Sequence, residues 1–185
     1  MAELEYAEAL KLGQREARAC AAKGLSPNLP VLDELLPPEK AAPGTSLGVL
    51  QIPSEYIVGT RTASRAVSFA RNFMPLLEPG TEFAAKWQSL CRSHVAEGIH
   101  DAVKVYEYRN RYYVAEGNKR VSVLKYFGAP VVAAEVVRIL PERTDDEATA
   151  CYFELIEFQR VSRIYGVEFS RRGSCAARRF SWSCW

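Results

Sequence analysis

The sequence predicts an α+β fold, a small mixed sheet with packed helices and an amphipathic helix in front of it. Three observations lead there. Short β-rich runs at residues 47–52, 103–108, 112–115 and 131–140 are interspersed with segments of helical spacing. Two of those runs are separated only by Arg109-Asn110-Arg111, which reads as a hairpin. Apolar residues make up 48% of the chain and charged residues 25%, a balance that supports a buried core and excludes a disordered chain.

In chain order, Tyr6, Leu10, Gly13, Ala17, Cys20 and Ala21 recur at helical spacing, with Glu8, Lys11, Arg15 and Arg18 on other faces and Gly24 as the stop. Residues 1–24 are thus a helix that docks on the domain or pairs with a second copy. Residues 25–46, rich in proline, read as a connector with one helical turn around Asp33. The run at 47–52 is a strand that Pro53 stops. Residues 60–72, carrying Arg61, Arg65 and Arg71, fit neither helix nor strand by pattern.

Thr81 after Pro79-Gly80 can cap a helix whose apolar stripe is Phe83, Trp87, Leu90, Cys91 and Val95, closed by Gly98. After the hairpin, residues 118–127 have helical spacing through Val121, Leu124 and Phe127, and Gly128-Ala129-Pro130 ends them. A strand at 131–140 closes a domain spanning 47–141. Thr144-Asp145-Asp146-Glu147 has the form of a capping box for a helix in residues 142–169, with Cys151, Tyr152, Leu155 and Ile156 on one face. Residues 170–185 form an irregular basic tail without periodicity, expected to be a truncated or frame-shifted end.

A formal charge of +2 is too small to imply a nucleic-acid or membrane partner without a local cluster. The five cysteines have wide, unrelated spacings, which indicates neither a zinc site nor a disulfide framework. With no signal-like N-terminus and no apolar run near roughly 18 residues, the expected location is cytoplasmic. His94 and His100 lack nearby carboxylate or cysteine neighbours in sequence and read as solvent-exposed. Tyr106, Tyr108, Tyr112 and Tyr113 read as cross-strand packing pairs rather than base-stacking platforms.

The chemistry concentrates in Glu116-Gly117-Asn118-Lys119-Arg120. A strand ends at Glu116, one glycine turns the chain, and a helix begins at once. Its first N–H groups are unpaired and lie at the positive end of the helix dipole. Lys119 and Arg120 add two cations where the dipole disfavours them, an arrangement that makes physical sense when an anion joins them. On those residues alone, two solvated cations explain the string as well.

The order of elements goes further. A strand, a helix ending in Glu97-Gly98-Ile99, a hairpin, the Gly117–Arg120 box, a helix and a strand together resemble the ParB/sulfiredoxin-like superfamily over about residues 47–140. The resemblance implies a nucleoside triphosphate with magnesium, its phosphates on Gly117, Asn118, Lys119 and Arg120. It further implies that Gly98 and Ile99 lie near the base, that Arg61 or Arg65 lies near the phosphates, and that Glu116 contacts magnesium or acts as a base. Where that family usually has proline after the Gly-Ile turn, this chain has Ala102. Sulfiredoxins carry a cysteine immediately after the box glycine; Asn118 in its place excludes their reductase chemistry. Free serine kinases of the superfamily have histidines where this chain has Asn118 and Lys119. Chromosome-partitioning members carry a later Glu-Asn-x-Gln-Arg box, of which Gln159-Arg160 keeps the end.

The resulting expectation is a bacterial nucleotide-binding regulatory module. The alternatives are a slow NTPase, a small ATP/ADP-dependent phosphotransferase with Glu116 as base, a DNA-associated protein lacking its helix-turn-helix, and a scaffold without ligand. The expected partners are a nucleotide and a protein or second copy held through the first helix, with no membrane. Only about 45 residues follow Pro141, too few convincing helices for sequence-specific DNA binding by this chain alone.

Overall fold

Helix α1 (Ala2–Ala22) opens the first of two compact units, Met1–Leu140 and Pro141–Trp185, in a computed structural model that describes residues 2–165. It is followed by a one-turn helix α2 (Leu32–Leu35), strand β1 (Thr45–Pro53), strand β2 (Ile57–Thr60) and a second one-turn helix α3 (Ala63–Ala66). Helix α4 (Glu82–Glu97), strands β3 (Val103–Tyr108) and β4 (Arg111–Glu116), helix α5 (Asn118–Tyr126) and strand β5 (Val131–Arg138) complete the unit. The described part of the second unit carries helix α6 (Glu147–Tyr165). None of the described helices is long and apolar enough to cross a membrane.

The five strands form one sheet in the order β1-β5-β3-β4-β2. β1–β5 and β3–β4 are antiparallel, whereas β3–β5 and β2–β4 are parallel, so the sheet is mixed and the overall class is α+β. The hairpin turn takes Arg109 and Asn110 through positive φ, 51° and 58°, the pair of left-handed residues that a tight two-residue turn requires.

Register sorts the side chains onto two faces. Val105, Val114 and Val136 are mutual partners across β3, β4 and β5 and point to the face on which Val121 and Leu124 of α5 pack with Phe69 and Phe73. Tyr106, Tyr113 and Val137 are the next set and point the other way. Tyr113 there pairs across the strands with Tyr106 and packs with Leu32, Leu36, Ala41 and Tyr108, whereas Tyr112 opposes Glu107 and packs on the other face and Tyr108 opposes Arg111.

Helix α4 lies between α1 and α5. The Trp87 ring meets the edge of Tyr6 at 5.4 Å and of Tyr126 at 5.6 Å, and its Nε1 donates to Ser122 Oγ at 2.9 Å. The buried side of α1 is Ala2, Tyr6, Ala9, Leu10, Gly13 and Cys20. Gly13 is there because a Cβ would stand 2.3 Å from the Pro75 carbonyl oxygen. The first helix therefore uses its apolar side inside its own chain.

Several sequence expectations change. Residues 25–46 are less a connector than a cover: Leu29, Val31 and Leu32 are buried, and Thr60 N donates to Pro30 O at 3.0 Å. The stretch around residue 60 holds β2 and α3, neither of which the pattern distinguished. Val95 is 59% exposed and lies off the stripe, whose buried members are Ala84, Trp87 and Cys91. His94 is not solvent-exposed: it is half-buried, its ring lies 4.8 Å from that of Phe127, and its Nδ1 is buried without a partner. His100 is exposed, 2.7 Å from Glu97 O. In the second unit Asp146, not Thr144, caps α6, accepting from Thr149 N at 2.9 Å. Arg160 pairs with Glu157 on the exposed side of that helix. The basic tail at 170–185 lies outside the described residues.

Candidate functional site

The turn from β4 into α5 is built around Gly117, whose φ of 100° and ψ of 20° lie in the left-handed region. A Cβ here would stand 2.7 Å from Val103 Cγ1 in the core, so the position admits only glycine without displacement. As the residue before the helix it offers no capping side chain, which leaves the first N–H groups of α5 without an intrahelical acceptor.

Asn118 follows, only 7% exposed, and its Oδ1 is buried with no hydrogen-bond partner. An orphaned buried amide oxygen costs about 1–3 kcal/mol. Because amide oxygen and nitrogen can exchange by a flip, Asn118 can offer an acceptor to a hydroxyl or a donor to an oxyanion.

Lys119 reaches back over α4, its Nζ 4.8 Å from the centre of the Phe83 ring. Burial holds its ammonium below the usual lysine range, and the neighbouring charges of Lys86 and Arg65 push it the same way, with Glu82 opposing. Cations gathered against one another raise the local affinity for an anion. Glu82 is itself engaged by Lys86 in an i,i+4 pair on the α4 surface.

Arg65, Glu116, Gly117, Asn118, Lys119 and Arg120 all line one open cavity of about 280 Å³, with Phe69, Phe83 and Leu90 as its apolar wall. Of the two arginines that sequence singled out, Arg65 belongs to this cavity. Arg61 does not: it sits beside Asp33 and Tyr106, which faces away from α5. Gly98 and Ile99 are not among the lining residues either. Gly98 ends α4 with φ 83°, and Ile99 packs against the core. Arg120 serves two ends at once: it faces the cavity, and its Nη1 donates to the carbonyls of Asp101 and Ala102 at 3.1 and 3.0 Å, tying the Gly98–Ala102 turn to α5.

Glu116 stands at the rim, well exposed, with its carboxylate 3.0 Å from Lys104 Nζ. The hydrogen bond from Lys104 and its charge hold the Glu116 carboxyl below the usual range. Lys86 is the charged neighbour of Lys119 that sequence reasoning missed. Nothing local marks it, because its relevance depends on the packing of α4 beside α5. Compared with known proteins, the chain matches no family model and no curated sequence.

Proposed function

We propose that this chain is a nucleotide-binding module that holds the phosphates of a nucleoside triphosphate at the N-terminus of α5, as the likeness to ParB/sulfiredoxin-like domains implies. The observation that carries the proposal is the meeting, in one cavity, of Arg65 and Lys119 with the uncapped start of α5. Lys119 and Arg65 neutralise phosphate charge, and the N–H groups after Gly117 cradle the oxygens. About 280 Å³ accommodates the phosphates and part of the sugar, leaving the base toward the mouth, where Phe83 and Leu90 offer apolar surface. Magnesium arriving with the phosphates would supply further charge neutralisation, and Glu116 is the carboxylate at the rim that would hold it.

The test is a thermal-shift screen with CTP, ATP, GTP and their diphosphates, with and without Mg²⁺. A nucleotide at about 100 times its Kd adds roughly 2.7 kcal/mol, or several degrees. The shift should vanish in Lys119→Ala and in Arg65→Gln. Those variants are preferable to Arg120→Ala, which also unties the turn at Asp101 and Ala102. No shift with any nucleotide in the folded chain would sink the proposal in favour of a scaffold.

A further inference from the structure

The opposite face of the sheet holds a second cavity, of about 230 Å³, between the sheet and the cover formed by residues 32–44. Its walls are apolar, with Leu32, Leu36, Pro38, Val137 and Ile139 among them, and its two charged lining residues are Asp33 and Arg61. Their backbones are fixed in place. Arg61 N donates to Val114 O at 2.9 Å and Asp33 N to Arg61 O at 3.1 Å, so both backbones are anchored to the sheet. The guanidinium lies 4.7 Å from the centre of the Tyr106 ring, and its Nη1 donates to a tyrosine hydroxyl at 2.8 Å, that of the same Tyr106.

The two charges form a loose ion pair without a hydrogen bond between them. The shortest approach, Arg61 Nε to Asp33 Oδ1, is 3.6 Å, too long for a hydrogen bond, and both side chains are partly exposed, at 41% and 32%. Among the described residues no acceptor meets Arg61 Nη2 and no donor hydrogen-bonds to the Asp33 carboxylate. A rigid guanidinium and a carboxylate with spare capacity, side by side at an apolar cavity, form the complement of a molecule with a carboxylate, an ammonium and a hydrocarbon tail. The space, equal to about eight water volumes, suits a ligand of about that many heavy atoms.

We propose that this cavity binds a small apolar α-amino acid as its zwitterion, its carboxylate on Arg61, its ammonium on Asp33 and its side chain against Leu36, Val137 and Ile139. A monocarboxylate would leave Asp33 unmet beside it, and an amine would leave Arg61 unmet. The site is separate from the α5 cavity, because Tyr106 and Val137 point to the face of the sheet away from α5.

Saturation-transfer NMR on the full chain with leucine as probe tests this, alongside 4-methylpentanoate and 3-methylbutylamine, which each lack one of the two charges. Leucine should receive saturation at its methyl groups, and each analogue should bind at least about tenfold more weakly, the loss expected from one charge-assisted hydrogen bond. Asp33→Asn should weaken leucine by a similar factor. Ala41→Leu, which adds a side chain from the cavity wall, should abolish binding while the amide spectrum stays that of a folded protein. Lys119→Ala should leave leucine binding unchanged. No transfer to leucine at about 10 mM, well above the millimolar Kd of a weak small-ligand site, overturns the proposal. So do equal binding of 4-methylpentanoate, and leucine binding that survives Ala41→Leu.

Discussion

Replacing Lys125 by methionine should change how stability depends on pH. Lys125 lies on α5, half-buried, with its Nζ donating to Ile57 O at 2.8 Å and lying 4.9 Å from the centre of the Phe73 ring. Burial lowers its ammonium from 10.5 to about 8. A shift of that size corresponds to about 3 kcal/mol against the charged form in the folded chain, an upper figure because part of the side chain keeps contact with water. The sign follows from which state holds the proton. Below pH 8 both folded and unfolded chains are protonated at this lysine, so it adds no slope. Above pH 8 the folded chain releases the proton while the unfolded chain keeps it up to about 10.5, so stability rises with pH.

Between pH 8 and pH 10 the wild-type gain from this group is about 2 kcal/mol. The window ends there because Tyr6 and Tyr126, pushed up to about 12 by burial and by neighbouring carboxylates, act in the opposite sense. Their unfolded forms ionise near pH 10 while the folded forms hold their protons, so stability falls as pH continues to rise. Urea unfolding at pH 7, 8, 9 and 10 reads the effect directly. Lys125→Met should be at least as stable as wild type at pH 7, having lost the desolvation cost, and should fall behind by pH 10, because Ile57 O has lost its donor. Parallel stability curves for the two proteins would refute the reasoning and mean that Ile57 O and the Phe73 face fully replace hydration of the ammonium.

Other substitutions probe the frame that holds the sites. Glu107 on β3 is 0% exposed and pairs with Arg138 on β5; Arg138→Met leaves that carboxylate buried without its cation and should cost about 3–5 kcal/mol in urea unfolding. Gly13→Ala places a Cβ 2.3 Å from Pro75 O and should cost about 1–3 kcal/mol as α1 lifts, read as a lowered Tm with unchanged far-UV circular dichroism. Trp87→Phe removes the donor to Ser122 Oγ at 2.9 Å while keeping most of the ring packing, with an expected loss of about 1–2 kcal/mol. Adding pyrophosphate should raise the Lys119 ammonium back toward the ordinary lysine range, followed by ¹⁵N shifts of the lysine side chains; an unmoved Lys119 would place the anion elsewhere.

Much of the sheet was legible because its signals are local. The hairpin needs only two left-handed residues between alternating runs, and α4 carries both its marks in sequence, Thr81 accepting from Ala84 N at 3.2 Å and Gly98 at its end. β2 escaped because its four residues are held by parallel pairing to β4, a partner about fifty positions away, and Gly59 interrupts any alternation. The cover at 25–46 was misjudged for a related reason. Its prolines lack N–H groups and so read as a loop, yet that same lack lets the segment lie over a sheet face without leaving buried donors unmet. Arg61 and Arg65 could not be told apart in sequence. Arg61 follows the end of β2 and is bound through its N–H to Val114 O, whereas Arg65 lies on α3 at the α5 cavity.

What makes the α5 cavity a better candidate than its sequence string is that its parts are poor choices for stability alone. Gly117 offers no capping side chain where a serine or aspartate would add about a few tenths of a kcal/mol, but the core at Val103 refuses any Cβ. Asn118 buries an amide oxygen without a partner, and Lys119 is drawn between Lys86 and Arg65, which repel it. A bound phosphate would offset two of these: the N–H groups would gain partners, and the repulsion would become attraction. Lys119→Met should therefore leave the unliganded chain no less stable than wild type while removing nucleotide stabilisation. That pairing separates a binding residue from a structural one, because a lysine that held the fold together would lower the unliganded Tm when lost.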